Sequence, residues 1–248
     1  MVADKVLEVL HNVASAVRRE LDALEDWGLT PGHEGQYRHD VVADEVALGL
    51  LDDAGYGVLS EESGLHNGAR DLVVVIDPVD GSTNASRGLP WWATSLCAVD
   101  SDGPLAAVVA NQSSGVRYAA VRGAGATCDG QPIAPSECRE LGEAVVAFSG
   151  YPTTYLGWGQ YRSLGAAALD MCAVASGNID AFVDCPADPL APWDYLGALL
   201  VCQEAGAHVA DLSGRDLVVR TLGPRRTPVA AATRELLGAV LDAGNQLV

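Results

Sequence analysis

Apolar residues recur at every third or fourth position near the start of the chain, at Val2, Val6, Val9, Val13, Val17, Leu21 and Leu24. This is the stripe of an amphipathic helix, and it predicts a long N-terminal helix whose business is packing. Gly28, Pro31, Gly32 and Gly35 then break the pattern and predict a loop over 27–35 that could border a site. A second helix is expected from Asp40 to Leu51, with Val42, Val46 and Leu50 on one face and Asp44 and Glu45 on another. The periodicity changes at Leu72 to Ile76, an apolar β-branched run of the kind found in a strand buried on both faces.

Short Val- and Ala-rich segments follow at Pro104 to Asn111, Val116 to Val121 and Ala124 to Cys128, split by Ser113-Ser114-Gly115 and by Gly123, and they predict antiparallel strands. Asp129-Gly130 is a strong hairpin signal. The second half alternates in type. A strand is expected over Leu141 to Ser149, a helix from Tyr161 through Val174 closed by Gly177, and a strand over Ile179 to Val183. Trp193-Asp194 opens a further helix, and a strand at Pro228 to Ala232 and a helix from Arg234 to Leu241 close the chain. Between these, Gly150 to Gln160 is a loop rich in Gly, Tyr and Trp.

With 248 residues, 49% hydrophobic and 19% charged, the chain can bury a substantial core. Its net charge of −18 argues against nucleic acid or an anionic membrane as a partner, because such surfaces are recognised by basic patches. A phosphorylated metabolite stays possible, since bound divalent cations invert the sign of an acidic pocket. Lys5 is the only lysine, which removes P-loop, kinase-type and Schiff-base chemistry. The six cysteines form no C-x-x-C pair and several sit in apolar runs, so they are expected to be buried thiols. The five histidines show no zinc-ligand spacing. With no signal-like N-terminus and no apolar run of spanning length, a cytoplasmic setting is the expectation.

Chemistry concentrates where the Leu72 to Ile76 strand ends. Asp77 and Asp80 flank Pro78 and Val79, and a proline there holds the chain extended or turning so that two carboxylates three apart can converge on a cation. Gly81, Ser82, Thr83 and Asn84 follow, a permissive glycine with hydroxyls and helix-starting residues, suited to a backbone N–H pocket for phosphate. Read alone, Asp-Pro-x-Asp-Gly is also an ordinary turn.

The octet DPVDGSTN, residues 77–84, closely resembles the D-P-[IV]-D-G-[ST]-T-N signature of the inositol monophosphatase family. Further segments are similar to that family in the same order: DVVADE at 40–45, SEES at 60–63, the helix opening R-S-x-G at Arg162 to Gly165, and WD at Trp193-Asp194 with EAG at Glu204 to Gly206. The resemblance implies a layered αβαβα sandwich of the inositol monophosphatase and fructose-1,6-bisphosphatase type. Residues 1–140 would form an α+β half carrying the main motifs, and 141–248 an α/β half of the same compact unit. It implies a phosphomonoesterase using two or three Mg²⁺ ions, with Mn²⁺ able to substitute, sensitive to lithium and paired as a homodimer.

On the same resemblance Glu61, Asp77, Asp80, Asp194 and the Val79 carbonyl are metal ligands. Ser82, oriented by Asp44, helps deprotonate the attacking water, with Glu61 beside it. Gly81, Ser82, Ser163 and Asp184 contact substrate. Plain alternatives stand beside several of these: Asp77 and Asp80 as turn residues, Glu61 as one of a solvent-facing acid pair, Asp44 as a solvated helix acid, and Ser163 and Asp194 as helix N-caps. The substrate expected is a small sugar or cyclitol monophosphate. Histidinol phosphate, a nucleotide or sugar bisphosphate, or a non-catalytic binding role are the competing possibilities.

Overall fold

The computed structural model describes residues 2–30, 36–185 and 189–244. The loop expected over 27–35 and the segment 185–192 therefore lie partly outside the described residues. In chain order the elements are α1 (Val2–Asp22), α2 (Arg38–Asp53), β1 (Gly57–Ser60), β2 (Gly64–His66), β3 (Val73–Asp80), α3 (Ser82–Ser86), β4 (Ala93–Asp100), β5 (Gly103–Asn111), β6 (Arg117–Val121), β7 (Gly125–Cys128) and β8 (Gln131–Pro132). The second half supplies β9 (Val145–Ser149), β10 (Gln160–Arg162), α4 (Ala167–Ala175), β11 (Ala181–Asp184), α5 (Pro192–Ala205), β12 (His208–Asp211), β13 (Pro228–Ala231) and α6 (Arg234–Gly244).

Two sheets organise these elements. The first has eight strands in the order β2-β1-β3-β4-β5-β6-β7-β8, antiparallel except where β1 and β3 run together. The second has five in the order β10-β9-β11-β13-β12. Strand alternation sorts the core into layers. Val74 and Ile76 of β3 point into an apolar cluster with Val6, Leu10, Val13 and Val17 of α1 and Ala43, Ala47 and Leu51 of α2. Val73 and Val75 point the other way, into a cluster built on α4, α5 and Phe182 and Ala230 of the second sheet. The far face of that sheet, through Val146, Phe148 and Val229, covers Leu236 and Val240 of α6. The result is helices, sheet, helices, sheet, helix, the expected αβαβα sandwich. All eight residues of β3 are buried, which explains why its sequence shows no polar alternation.

Local structure departs from the sequence pattern in two places that matter for the site. The helix expected from Tyr161 begins only at Ala167, and residues 160–162 instead extend the second sheet as β10 beside β9. Gly165 accounts for the delay: its φ of +87° is incompatible with a helix, and a Cβ there would stand 3.1 Å from the Asn84 amide. The strand expected from Leu141 starts at Val145, after a single 3₁₀ turn over Leu141–Glu143. The Asp129-Gly130 turn forms as read, with both residues at positive φ between β7 and β8.

Leu96 of β4 is fully buried in the cluster shared with α1 and α2. Leu96→Ala should lower unfolding free energy by about 2–5 kcal/mol, the usual cost of such a cavity, measured by urea denaturation.

Candidate active site

The site begins with an irregularity in β3. Asp77 pairs with Ser95 of β4 and Asp80 with Ala93, so three steps along β3 match two along β4. In a regular strand residues three apart face opposite sides. One extra residue restores the parity, so this bulge is what lets Asp77 and Asp80 share a side. Pro78 suits the irregular position because it has no N–H to lose, and its carbonyl accepts the Thr94 hydroxyl at 2.9 Å. The Val79 N–H turns back to Asp77 Oδ1 at 3.0 Å.

Glu61, just past β1, and Asp194, in the first turn of α5, meet Asp77 here. Carboxylate oxygens of the three lie within 4.8 Å of one another. Asp194 also accepts the Ala191 N–H at 2.6 Å, so it serves as a cap for α5 while its carboxyl group stands in the acidic cluster. Asp80 is held differently. Its two oxygens accept the Ala167 N–H at 3.2 Å and the Ala168 N–H at 2.8 Å, fastening the start of α4 to the end of β3. Hard carboxylate oxygens without His or Cys suit Mg²⁺ or Mn²⁺, so the donor set fits the family's metal.

The hydroxyl of Ser82 is where the sequence reading needs correction. Its partner is Asp40, with Ser82 Oγ 2.9 Å from Asp40 Oδ1 and 2.8 Å from the Val79 carbonyl, the second acceptor available to its one proton. Asp44, expected in that role, lies one turn farther along α2 and accepts the Ser60 hydroxyl. Four residues on a helix share a face but differ by about 6 Å in height, so only the first-turn acid reaches Ser82. Asp40 also accepts the Tyr37 N–H at 3.0 Å, which fixes its carboxylate at the N-terminus of α2. Burial raises the Asp40 pKa, partly offset by the Tyr37 N–H and the Ser82 hydroxyl. His39 packs against it with Nε2 3.3 Å from Asp40 Oδ1. Burial lowers the His39 pKa to about 4, so this imidazole is neutral near pH 7 and adds no charge.

Gly81 joins the two parts. It sits at φ +90°, and a Cβ would come within 3.0 Å of the Gly165 carbonyl and 3.2 Å of the Trp91 carbonyl. Asn84 donates to the Trp91 carbonyl at 2.7 Å and the Leu164 carbonyl at 2.8 Å, binding the signature segment to the start of the second half. These contacts wall a cleft of about 170 Å³ lined by Asp80, Asp170, Asp194, Ser163, Gly165 and Leu190 among others.

Ser163 therefore reaches the cleft, and it is not the N-cap of α4, a place taken by Ala166. Asp184 is not among the described residues that line the cleft. It is fully buried at the end of β11, with Oδ2 3.3 Å from the Leu190 N–H. Asp170 is a cleft acid that sequence reasoning missed. It lies buried in α4 and accepts the Trp91 indole N–H at 2.8 Å. A lone acid within the apolar run Ala167–Ala175 was the available signal.

The electrostatics follow from crowding. Removal from water, then the charges of Asp194 and Glu62, raise Glu61 from 4.5 to about 8, although the residue as a whole keeps an exposed surface. Asp77, fully surrounded, is pushed well above the usual carboxylate range by burial and then by Glu61, Asp80 and Asp194. Burial raises Asp80 to about 8 against the Ala168 N–H, with Asp170 and Glu61 adding to the rise. Burial also raises Asp170 to about 7.

Known proteins resemble this chain over most of its length. The model of the inositol monophosphatase family matches residues 44–247. An Archaeoglobus fulgidus fructose-1,6-bisphosphatase/inositol-1-monophosphatase is 30% identical over 247 residues, covering 95% of this chain and 96% of the relative. A Salmonella typhimurium protein named Nus factor SuhB is 34% identical over 173 residues, 63% of each chain. Among solved structures, a Pyrococcus horikoshii protein described as having similarities for inositol-1 monophosphatase superposes with a TM-score of 0.85 at 26% identity, over 96% of this chain and 98% of its own.

The raised carboxyl groups make metal-free stability depend on pH. Between the ordinary values of 3.8 to 4.5 and about 8, the folded chain holds more protons than the unfolded chain. The stability from this source is full at low pH and lost as pH rises through about 8. The melting temperature in chelator should therefore fall from pH 5 to pH 8.5, and Mg²⁺ should remove most of the fall. Asp77→Asn should shrink it too, because one of the repelling charges is gone. A metal-free melting temperature that rises over this interval would contradict the assignment.

Proposed function

Since this chain belongs to the inositol monophosphatase family, we propose that it hydrolyses phosphate monoesters with Mg²⁺, taking a small sugar or cyclitol monophosphate as substrate. The observation that carries the reading is the convergence of Glu61, Asp77 and Asp194 within 4.8 Å, beside a serine hydroxyl already paired with Asp40. Glu61, Asp77 and Asp194 would hold the metal, with Asp80 and the Val79 carbonyl at its edge. When bound, Mg²⁺ would supply positive charge to neutralise the phosphoryl oxygens, acidify the attacking water and stabilise the leaving oxygen.

The chain's own part is proton transfer and positioning. Water attacks phosphorus, and its proton passes to Ser82 Oγ as the hydroxyl proton moves to Asp40. The P–O bond to the alcohol breaks, the leaving oxygen takes a proton from solvent water, and Asp40 returns its proton to solvent. A buried carboxylate with a raised pKa is the better proton acceptor, which suits Asp40 to this task. The N–H groups of Gly81 and Ser82 would grip the phosphate, and Ser163, on the cleft wall, would read a hydroxyl of the substrate.

A bisphosphate needs cations for its second phosphate, usually arginines. Among the described residues, the cleft wall holds three aspartates and no arginine or lysine, which favours a monophosphate. The relatives named as Nus factors bring the competing reading of a non-catalytic role. Retention of the acid set favours hydrolysis over that reading.

Phosphate release should require Mg²⁺, tolerate Mn²⁺ and cease in excess chelator. A sugar or inositol monophosphate should exceed fructose 1,6-bisphosphate in kcat/KM. A bisphosphate preferred by more than about tenfold, or 1.4 kcal/mol, overturns the substrate class. Asp40→Asn should lower kcat by roughly a hundredfold or more with little change in KM, as expected for loss of a proton acceptor. Asp44→Asn should cost much less. The reverse order would return the role to Asp44.

A further inference from the structure

Ser95 carries a buried hydroxyl without a use in the fold. The residue is 1% exposed, and no described residue gives its Oγ a hydrogen bond. A hydroxyl shut away from water and left unpaired costs stability. The sheet fixes where it lies. Ser95 of β4 is directly opposite Asp77 of β3 and beside Val109 of β5. Opposed residues of an antiparallel pair project to the same face, with Cβ atoms about 4.5–5.5 Å apart. That face is the one toward α5, because Val75 and Cys97, the next pair on it, and Val109 all belong to the cluster built on that helix. The helix leaves room for the hydroxyl. Asp194 stands in the first turn of α5, and Gly197 follows three residues later on the same side. A Cβ on Gly197 would stand 2.8 Å from Ser95 Oγ, nearer than to Val109 Cγ2 at 3.3 Å or the Leu96 carbonyl at 3.4 Å. Glycine inside a helix weakens it relative to alanine. Two unfavourable choices, an orphan hydroxyl and a helical glycine, thus meet at one point, beside Asp77 and one turn from Asp194.

Resting on the metal-dependent reading of the site, we propose that Ser95 is a positioning residue of the metal centre, its hydroxyl donating to the Asp77 carboxylate when a divalent ion is bound there. In the metal-free chain Asp77 is engaged by Glu61 and by the Val79 N–H at 3.0 Å. An ionised carboxylate has about four acceptor positions, so Asp77 can hold an ion, keep the Val79 N–H and accept Ser95 as well. A hydroxyl suits the place because it rotates to meet an acceptor without bringing a charge. Groups that hydrogen-bond a metal ligand from behind fix its direction, and their loss commonly costs roughly ten- to a hundredfold in metal affinity. Packing alone does not account for the residue. Alanine would fill the same space without a buried polar atom, and that is the choice expected if the contact with Gly197 were the only demand.

The test is Mg²⁺ binding to the full chain by calorimetry, with the melting temperature in chelator as a second reading. Ser95→Ala should weaken Mg²⁺ binding by roughly tenfold or more. Its metal-free melting temperature should stay level or rise, because an unpaired buried hydroxyl has gone. A serine that served the fold alone would lower the metal-free melting temperature and leave the affinity as it was, and unchanged affinity overturns the proposal whatever the melting temperature does. Gly197→Ala is the independent check, and it decides the matter should both readings fall. Its added methyl crowds Ser95 Oγ, so it should weaken Mg²⁺ binding in the wild-type background and change it little in the Ser95→Ala background. Equal losses in the two backgrounds overturn the proposal. A wild-type chain that takes up neither Mg²⁺ nor Mn²⁺ sinks the metal reading and this inference together. A wild type that binds Mg²⁺ no more tightly than Ser95→Ala sinks this inference and leaves the metal reading standing.

Discussion

Like charges forced together set the terms for this protein. The carboxylates of Glu61, Asp77 and Asp194 would move apart if the chain allowed it, and each is held by something that does not depend on the other two. Asp77 is fixed in a fully buried strand, Asp194 by its bond to the Ala191 N–H, and Glu61 by the end of β1, whose backbone pairs with β3. A cluster preformed in this way binds a cation without first reorganising, and until then it bears the repulsion as protons taken up. The same economy explains Asp80. Its oxygens are anchored by two N–H groups at the start of α4, which offset only part of the burial that raises its pKa.

The layered fold matters because it puts the ends of different elements at one point. Glu61 and Asp77 come from parallel neighbours of the first sheet, Asp40 from a helix on one side of that sheet, and Asp194 from a helix on the other. The carboxylates thus approach from both sides of a buried strand end. The bulge in β3 is the small deviation that makes this possible.

Much of this was legible in the sequence, and the losses have a common cause. DPVDGSTN announced the acids, the glycine and the hydroxyl, because those residue types are adjacent in the chain. The bulge was not legible, since it exists only relative to the register of β4. Asp40 and Asp44 have the same chemistry and share a helix face, so choosing between them required the height of α2 against Ser82, which is a tertiary fact. The start of α4 was misread for a similar reason: local propensity allows a helix from Tyr161, and the left-handed Gly165 packed on Asn84 forbids it. Asp184 looked available at a strand end and is buried instead. Asp170 could have been found, because an acid inside a nine-residue apolar helix is rarely there for solubility.

The hydrogen bonds that define the cleft span the chain. Asn84 reaches Leu164 across 80 residues, and Asp80 reaches Ala167 and Ala168 across 87 and 88. Contacts of that separation close long loops, so they need both halves of the chain in place. β3 carries Asp77 and Asp80, but the wall of the cleft and Asp194 come from the second half. The acidic cluster and its cleft thus belong to neither half of the chain, and a break between the halves would separate Asp77 from Asp194.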